Sequence, residues 1–212
     1  MEEGQLTGQT DGRRITRRGR ETRQRIIAAA AALMFEHGVA ETTLEDIRAA
    51  AGVSGSQVYH YFVDKQALVR AVIDHQTDSV LDSQADHLDA LDTVSGLRAW
   101  RDFIVEHQRR LQCRGGCPIG ALGAEVAETD DVARLAVAGG FRRWEDQIRD
   151  GLRTMQTRGD LPQSVDADDL ALALLAALQG GLLLTQIRRD TKPLEVALDA
   201  MLERIETLKA AA

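Results

Sequence analysis

Ser54, Ser56, Gln57, Tyr59 and His60 crowd into one short stretch of the chain. Together they are side chains suited to nucleic acid. A glutamine amide can pair both with the donor and with the acceptor of an adenine edge, while serine, histidine and tyrosine reach base or backbone oxygens. Seven arginines lie between positions 13 and 25 (Arg13, Arg14, Arg17, Arg18, Arg20, Arg23 and Arg25), opposed there only by Glu21. Such a run is either an arm that holds phosphates or a solvated tail. Thr43 and Lys65 each stand near the start of an expected helix, where anions are favoured, and complete the phosphate set. Elsewhere Cys113 and Cys117 flank Arg114-Gly115-Gly116, with His107 upstream. These make at most three metal ligands, short of the four of a structural zinc site, so no metal is expected. An arginine beside a thiol can lower its pKa and make a sensor of oxidants or electrophiles, the alternative being a buried, inert cysteine. The chain has no G-x-S-x-G, Walker A, H-E-x-x-H or dinucleotide fingerprint, and its five histidines are scattered. No catalytic residue and no cofactor is expected.

The elements that must position these groups are helices. With 3 Pro, 2 Trp, 2 Tyr and 4 Phe in 212 residues, against many Ala and Leu, the composition favours helix over strand. The net charge is −7, too acidic for a protein that coats nucleic acid or an anionic membrane by bulk charge. The charge is uneven: the first 70 residues carry +1 and the remainder −8. Any contact with nucleic acid is therefore local and N-terminal.

Apolar spacing predicts a first helix over 21–37, ended by Gly38. Thr43 and Asp46 form a capping-box pattern opening a short helix that runs to Gly52, and Ser54 caps another over 55–61. Asp64 caps a long helix running to about 90. Two short helices joined by Gly52-Val53-Ser54 have the dimensions of a helix-turn-helix, whose second helix enters the DNA major groove. Ile47, Ala51, Val53 and Val58 would fix their crossing, leaving Ser56, Gln57 and His60 outward. Tyr59 and Gln57 are read as DNA contacts, with core packing and plain surface as their alternatives, whereas Phe62 is read as core.

The stretch LMFEHGVAETTLEDIRAAAGVSGSQVYHYFVDKQALV resembles the N-terminal DNA-binding segment of the TetR family of bacterial transcriptional regulators. E-x-G-V, T-T-x-x-D-I, A-G-V-S, Y-H-Y-F and D-K-x-A-L recur in that order over about residues 21–70. The resemblance implies an all-α fold with a basic flexible arm (1–20), a helix-turn-helix domain (21–66) and a helical ligand-binding and dimerisation domain (67–212). It also implies a repressor released from a palindromic operator by a small ligand. Three positions depart from the family pattern. Leu33-Met34 precedes Phe35 where Leu-Phe is usual, Arg48 replaces a small residue, and Gly55-Ser56 stands where Lys-Gly is common. The last departure moves phosphate binding toward the arm and Lys65. In the C-terminal part, Gly116 to Glu128 (GCPIGALGAEVAE) resembles a segment of lincomycin- and flavonoid-responsive repressors.

Further helices are expected at 95–112, 118–127, 131–157, 166–188 and 192–208. An apolar or aromatic effector would be held by Trp100, Phe103, His107, Cys117, Phe141, Trp144, Ile148 and Gln179, few polar groups in an otherwise apolar set. The same aromatics at helical spacing also suit an ordinary core. The last two helices are expected to build a homodimer, and the alternative is a closed monomeric core. The longest apolar run, 170–184, is shorter than the ~18 residues of a membrane span. The polar N-terminus MEEGQLTGQT lacks an apolar signal segment, so a cytoplasmic protein with no membrane partner is expected. Two other classes remain open: an enzyme using Cys or His, and an architectural protein binding any duplex through the arginine arm.

Overall fold

The computed structural model describes residues 16–210, so Arg13, Arg14 and most of the expected arm lie outside the described residues. Ten α-helices and no strand occur among the described residues. α1 spans Arg17–His37 and begins four residues earlier than its apolar period predicts, because Thr16 caps it by accepting the Gly19 N–H at 3.1 Å. Arg17, Arg18 and Arg20 therefore stand on a helix and not on an arm. Gly38, at φ +87°, ends α1 as expected.

α2 (Leu44–Ala51) and α3 (Gly55–Tyr61) each open with a complete capping box, Thr43 with Asp46 and Ser54 with Gln57. Gly52 turns the chain between them in the left-handed region, φ +62°. Ile47, Ala51, Val53 and Val58 are all buried, and so is Phe62, which fixes the crossing of the two short helices.

α4 (Lys65–Asp82) is capped by Asp64 but does not run to 90. It stops because Ser83 Oγ and Gln84 Nε2 both donate to the Val80 carbonyl, at 2.8 and 2.9 Å, and take the acceptor that a continuing helix would use. Gln84 is thereby turned inward, where its Oε1 accepts the Trp100 indole N–H at 2.7 Å. A single turn, α5 (Ala85–Leu88), follows. The expected domain boundary at 66/67 thus falls in the first turn of one continuous helix.

α6 (Val94–Arg110), α7 (Pro118–Val126), α8 (Asp131–Thr157), α9 (Ala167–Arg188) and α10 (Lys192–Ala210) lie within two residues of their expected limits. α4 packs on α8, α8 on α9, α9 on α10 and α10 on α6, while α1 touches both α4 and α7. Each junction is a buried stripe of Leu, Ile, Val or Trp, and Trp100 and Trp144 are among the largest side chains fully enclosed.

α9 is 22 residues long, and by length and composition it could cross a membrane. Length and composition alone do not make it a span, and the helix expected over 166–188 stays in the protein. One side of α9 is taken by the protein's own core through Leu174, Leu178, Leu182 and Ala171. Its other side exposes Leu172, Leu183, Leu184 and Ile187.

Gly181 faces α10, where a β-carbon would stand 2.9 Å from Leu194 Cα, while Gly139 on α8 faces open space. Gly181→Ala is expected to destabilise by about 1 to 3 kcal/mol, since backbone must shift to accept the methyl. Gly139→Ala should stabilise by about 1 kcal/mol through helix propensity. Denaturant unfolding of both variants checks the opposite signs.

Candidate nucleic-acid face and ligand cavity

The outward side of α3 carries the residues read as base and phosphate contacts. Ser54, Ser56, Gln57, Tyr59 and His60 are all exposed, Tyr59 at 62 %. The structure brings these five together on one surface, with Lys65 on the next helix. Gln57 is not idle: its Oε1 accepts the Ser54 backbone N–H at 2.8 Å, and Ser54 Oγ sits 2.9 Å from Ser56 Oγ. The amide therefore gives up a cap before it can bond a base through that oxygen.

Thr43 is more committed. Its hydroxyl lies 2.5 Å from Asp46 Oδ2, and its N–H also reaches that oxygen. The Thr43 hydroxyl and N–H together hold the Asp46 carboxyl below its ordinary pKa. Arg48 is engaged by Glu45, its Nε donating to the carboxylate at 2.8 Å. Two carboxylates thus stand in the first turn of α2 and none in that of α3, so α3 is the end that a polyanion can approach. Lys65 Nζ donates to the Ala40 carbonyl at 3.2 Å, tying the start of α4 to the turn before α2. Arg17 pairs with Glu21 at 2.9 Å. Arg18 and Arg20 are exposed on the same end of α1.

A cavity of about 240 Å³ opens between α1, α4, α6, the start of α7, α8 and α9. Of the expected ligand residues, Phe103, His107, Cys117 and Trp144 line it. Trp100, Phe141, Ile148 and Gln179 do not. Trp100 and Ile148 are fully enclosed core, and Trp100 acts on the cavity only through its bond to Gln84, which is a wall residue. Gln179 stands behind the wall, beside Gly120 and Cys117.

Sequence reasoning missed much of the wall, Gln76, Ile104, Gln108, Leu111, Arg114 and Leu182 among it, and two further places in particular. One is the end of α4 and the break after it, which supply Ser79, Ser83 and Gln84. The other is Phe35, on α1 of the helix-turn-helix part, whose ring lies against Gly115 so closely that a β-carbon there would meet it at 2.6 Å. The signal for Phe35 was present as a departure, a Phe displaced by one position from the family pattern.

The α6–α7 loop shapes the mouth. Gln112 (φ +53°) and Cys113 (φ +56°) are left-handed, and the loop is tied down by Cys113 N–H on the Gln108 carbonyl and by Arg189 Nη1 on the Cys113 carbonyl, both 2.8 Å. Cys117 caps α7, its Sγ 3.4 Å from Gly120 N. Both thiols are free and buried, and burial pushes the Cys117 thiol up, outweighing the hydrogen bonds it accepts. Arg114 does not turn Cys117 into a thiolate. Among the described residues no three metal-ligating side chains cluster.

At its other end α7 holds the α1–α2 turn: Glu125 Oε2 accepts the Val39 N–H at 2.6 Å. Cavity and turn are therefore joined by one short helix.

Comparison with known proteins covers most of the chain. The family described as "Bacterial regulatory proteins, tetR family" matches residues 26–72, and "Tetracyclin repressor-like, C-terminal domain" matches residues 93–201. A TetR transcriptional regulator from Chloroflexus aurantiacus J-10-FL is similar in structure, with a TM-score of 0.75 and 32% identity, covering 90% of this chain and 96% of that one. An HTH-type transcriptional regulator of Mycobacterium tuberculosis is 29% identical over 82% of this chain and 89% of its own. The HTH-type transcriptional repressor DhaR of Mycobacterium sp. (strain GP1) is 25% identical over 86% of this chain and 91% of its own.

A neutral thiol buried in the fold and ionised in the unfolded chain gives stability that is fully present below the ordinary thiol pKa. That stability is lost as pH rises through it toward the raised folded value. Cys117→Ala should flatten the fall in unfolding free energy between roughly pH 8 and 10. Native-state alkylation of Cys117 should also be far slower than in denaturant. Fast labelling of native Cys117 at neutral pH would revive a thiol sensor.

Proposed function

Because the chain belongs to the TetR family of bacterial transcriptional regulators, we propose that it is a repressor that a small apolar or aromatic ligand releases from a palindromic operator. It is a DNA-binding regulator and not an enzyme, and the family as a whole is soluble and cytoplasmic, which is the location we assign to this chain. The observation that carries the release mechanism is Phe35: a residue of α1, in the helix-turn-helix part, is a wall of the ligand cavity. Filling the cavity then pushes directly on the helix that supports the DNA-facing side.

We assign residues 21–66 to DNA binding and 67–212 to ligand binding and dimerisation, with Arg13, Arg14, Arg17, Arg18 and Arg20 reaching phosphates from the start of the chain. Ser54, Ser56, Gln57, Tyr59 and His60 face the major groove, and Thr43 and Lys65 flank it. The relative from Mycobacterium sp. (strain GP1) is named a repressor, which supports that sign of regulation. The likeness of Gly116 to Glu128 to lincomycin- and flavonoid-responsive repressors supports a ring-bearing effector.

We assign the dimer to α9 and α10. Leu172, Leu183, Leu184 and Ile187 of α9 and Val196 of α10 are exposed, an apolar area of the kind that marks an interface. Gly180 lies on the same side, where a β-carbon would meet nothing within 4 Å in a single chain. Its helix cost, about 1 kcal/mol against Ala, is offset if a second backbone approaches there. Two-fold symmetry then sets two α3 helices against two half-sites about one DNA turn apart.

Coupling requires the ligand to prefer the DNA-incompetent state, typically by about 1 to 3 kcal/mol. Two routes leave the cavity: Phe35 on α1, and α7, whose Glu125 holds the Val39 N–H. α4, which spans from the Lys65 end to Ser79 and Val80 in the cavity wall, is the lever between them.

Selection of duplexes from a random pool, with the mass in solution measured alongside, should return a palindrome bound by a dimer. Gln57→Ala should then relax the sequence preference while Lys65→Ala weakens binding to all duplexes alike. Recovery of no motif would favour an architectural protein.

Phe35→Ala is expected to leave operator affinity within about threefold and to cut ligand-driven release by about tenfold, which corresponds to ~1.4 kcal/mol of coupling. Operator titrations at fixed ligand measure this. Undiminished release would remove Phe35 from the mechanism.

A further inference from the structure

We propose that the effector is a small aromatic carboxylate, its ring in the cavity and its anionic group on Arg114. This rests on the reading of the cavity as the effector site.

The volume of about 240 Å³ has room for about eight waters at ~30 Å³ each, below the usual ~300 to 1,000 Å³ of ligand pockets. It suits one or two rings. Phe35, Phe103, Leu111, Trp144 and Leu182 give it apolar walls, and the Phe103 and His107 rings are stacked with centroids 6.2 Å apart.

The polar side chains of the wall include no acid. Gln76, Gln84, Gln108, His107 and Arg114 line it together with Ser79 and Ser83, and no carboxylate does. That absence falls in a part of the chain carrying a net −8. Many arginines of this part are neutralised, Arg98, Arg101, Arg143, Arg149, Arg153 and Arg158 each meeting an Asp or Glu, whereas Arg142, Arg188 and Arg204 meet none among the described residues but line no wall of this cavity. Arg114 has no such partner among the described residues, and it stands on the loop anchored by Arg189 and Gln108. An unpaired guanidinium at the mouth of a pocket without carboxylates repels cations and attracts a carboxylate, to which its planar fork is matched.

The interior adds a second requirement. Gln108 is 3% and Trp144 2% exposed, and Gln108 Oε1 and Trp144 Nε1 have no hydrogen-bond partner. An orphaned indole donor and an orphaned amide oxygen in one wall fit a hydroxyl on the ring, which accepts from the first and donates to the second. A purely hydrocarbon ligand would leave both unpaired.

The test is calorimetric binding of naphthoate, naphthamide and naphthylmethylamine to the full-length protein, with release of a selected operator duplex followed in parallel. Naphthoate is expected to bind at least about fivefold more tightly than the amide, and the amine least, with the carboxylate preference lost in Arg114→Gln. Trp144→Phe should leave the preference intact and weaken hydroxy-naphthoate relative to naphthoate. Circular dichroism melts confirm that each variant is folded. Equal binding of the three probes, binding of none, or a preference that survives Arg114→Gln overturns the proposal and leaves the regulator reading standing. Arg114-dependent naphthoate binding without operator release upholds the ligand class and overturns release as the mechanism.

Discussion

The buried face of α1 is the constraint on which the rest depends. Ile26, Ile27, Ala30, Ala31 and Met34 are within a few per cent of complete burial, and α1 contacts α2, α4 and α7. One helix therefore belongs to two cores. Its inner face holds the helix-turn-helix together, and its C-terminal turn is a wall of the ligand domain. Removing that shared face would expose apolar surface on both sides at once, which is why the two parts cannot move independently.

Besides α4, which runs through both parts, few groups bridge them at this end of α1. Glu125 is one: a carboxylate that accepts a backbone N–H makes a stronger bond than a neutral acceptor would. It leaves Gly38 no room for a side chain, since a β-carbon there would lie 2.9 Å from Glu125 Oε2. Gly38 is thus required twice, for its positive φ and for the approach of α7. Phe35 is the other bridge, and it is 48 % exposed.

Much of this was legible in the chain itself. Helix limits followed from caps, because Thr43, Ser54, Asp64, Thr93, Asp130 and Asp166 each accept first-turn N–H groups as their residue types predict. The exposed side of α3 followed from the period of Val53, Val58 and Phe62. The start of α1 did not, since Thr16 is followed by arginines that show no apolar stripe. The end of α4 did not either: a Gln that bonds back to a carbonyl four residues earlier looks like any helical Gln until Trp100 arrives from another helix. The cavity suffered most for the same reason. Trp100 and Trp144 are alike in sequence and both buried, and only tertiary packing makes Trp144 a wall of the cavity and Trp100 not.

Charge then orders the two surfaces. The C-terminal part carries a net −8 and the first 70 residues +1, so a polyanion is repelled by the body and meets a near-neutral end instead. Within that end α2 presents Glu45 and Asp46 in its first turn and α3 presents no acid, which narrows the approach to one helix. The same body field would keep a small anion away, and a pocket made for one must suppress it locally. Walls free of carboxylates, with a guanidinium left unpaired at the mouth, do so within a Debye length of about 8 to 10 Å. The uneven placement of acids thus bears on both surfaces: it turns the body away from nucleic acid and keeps carboxylates out of the walls of this cavity.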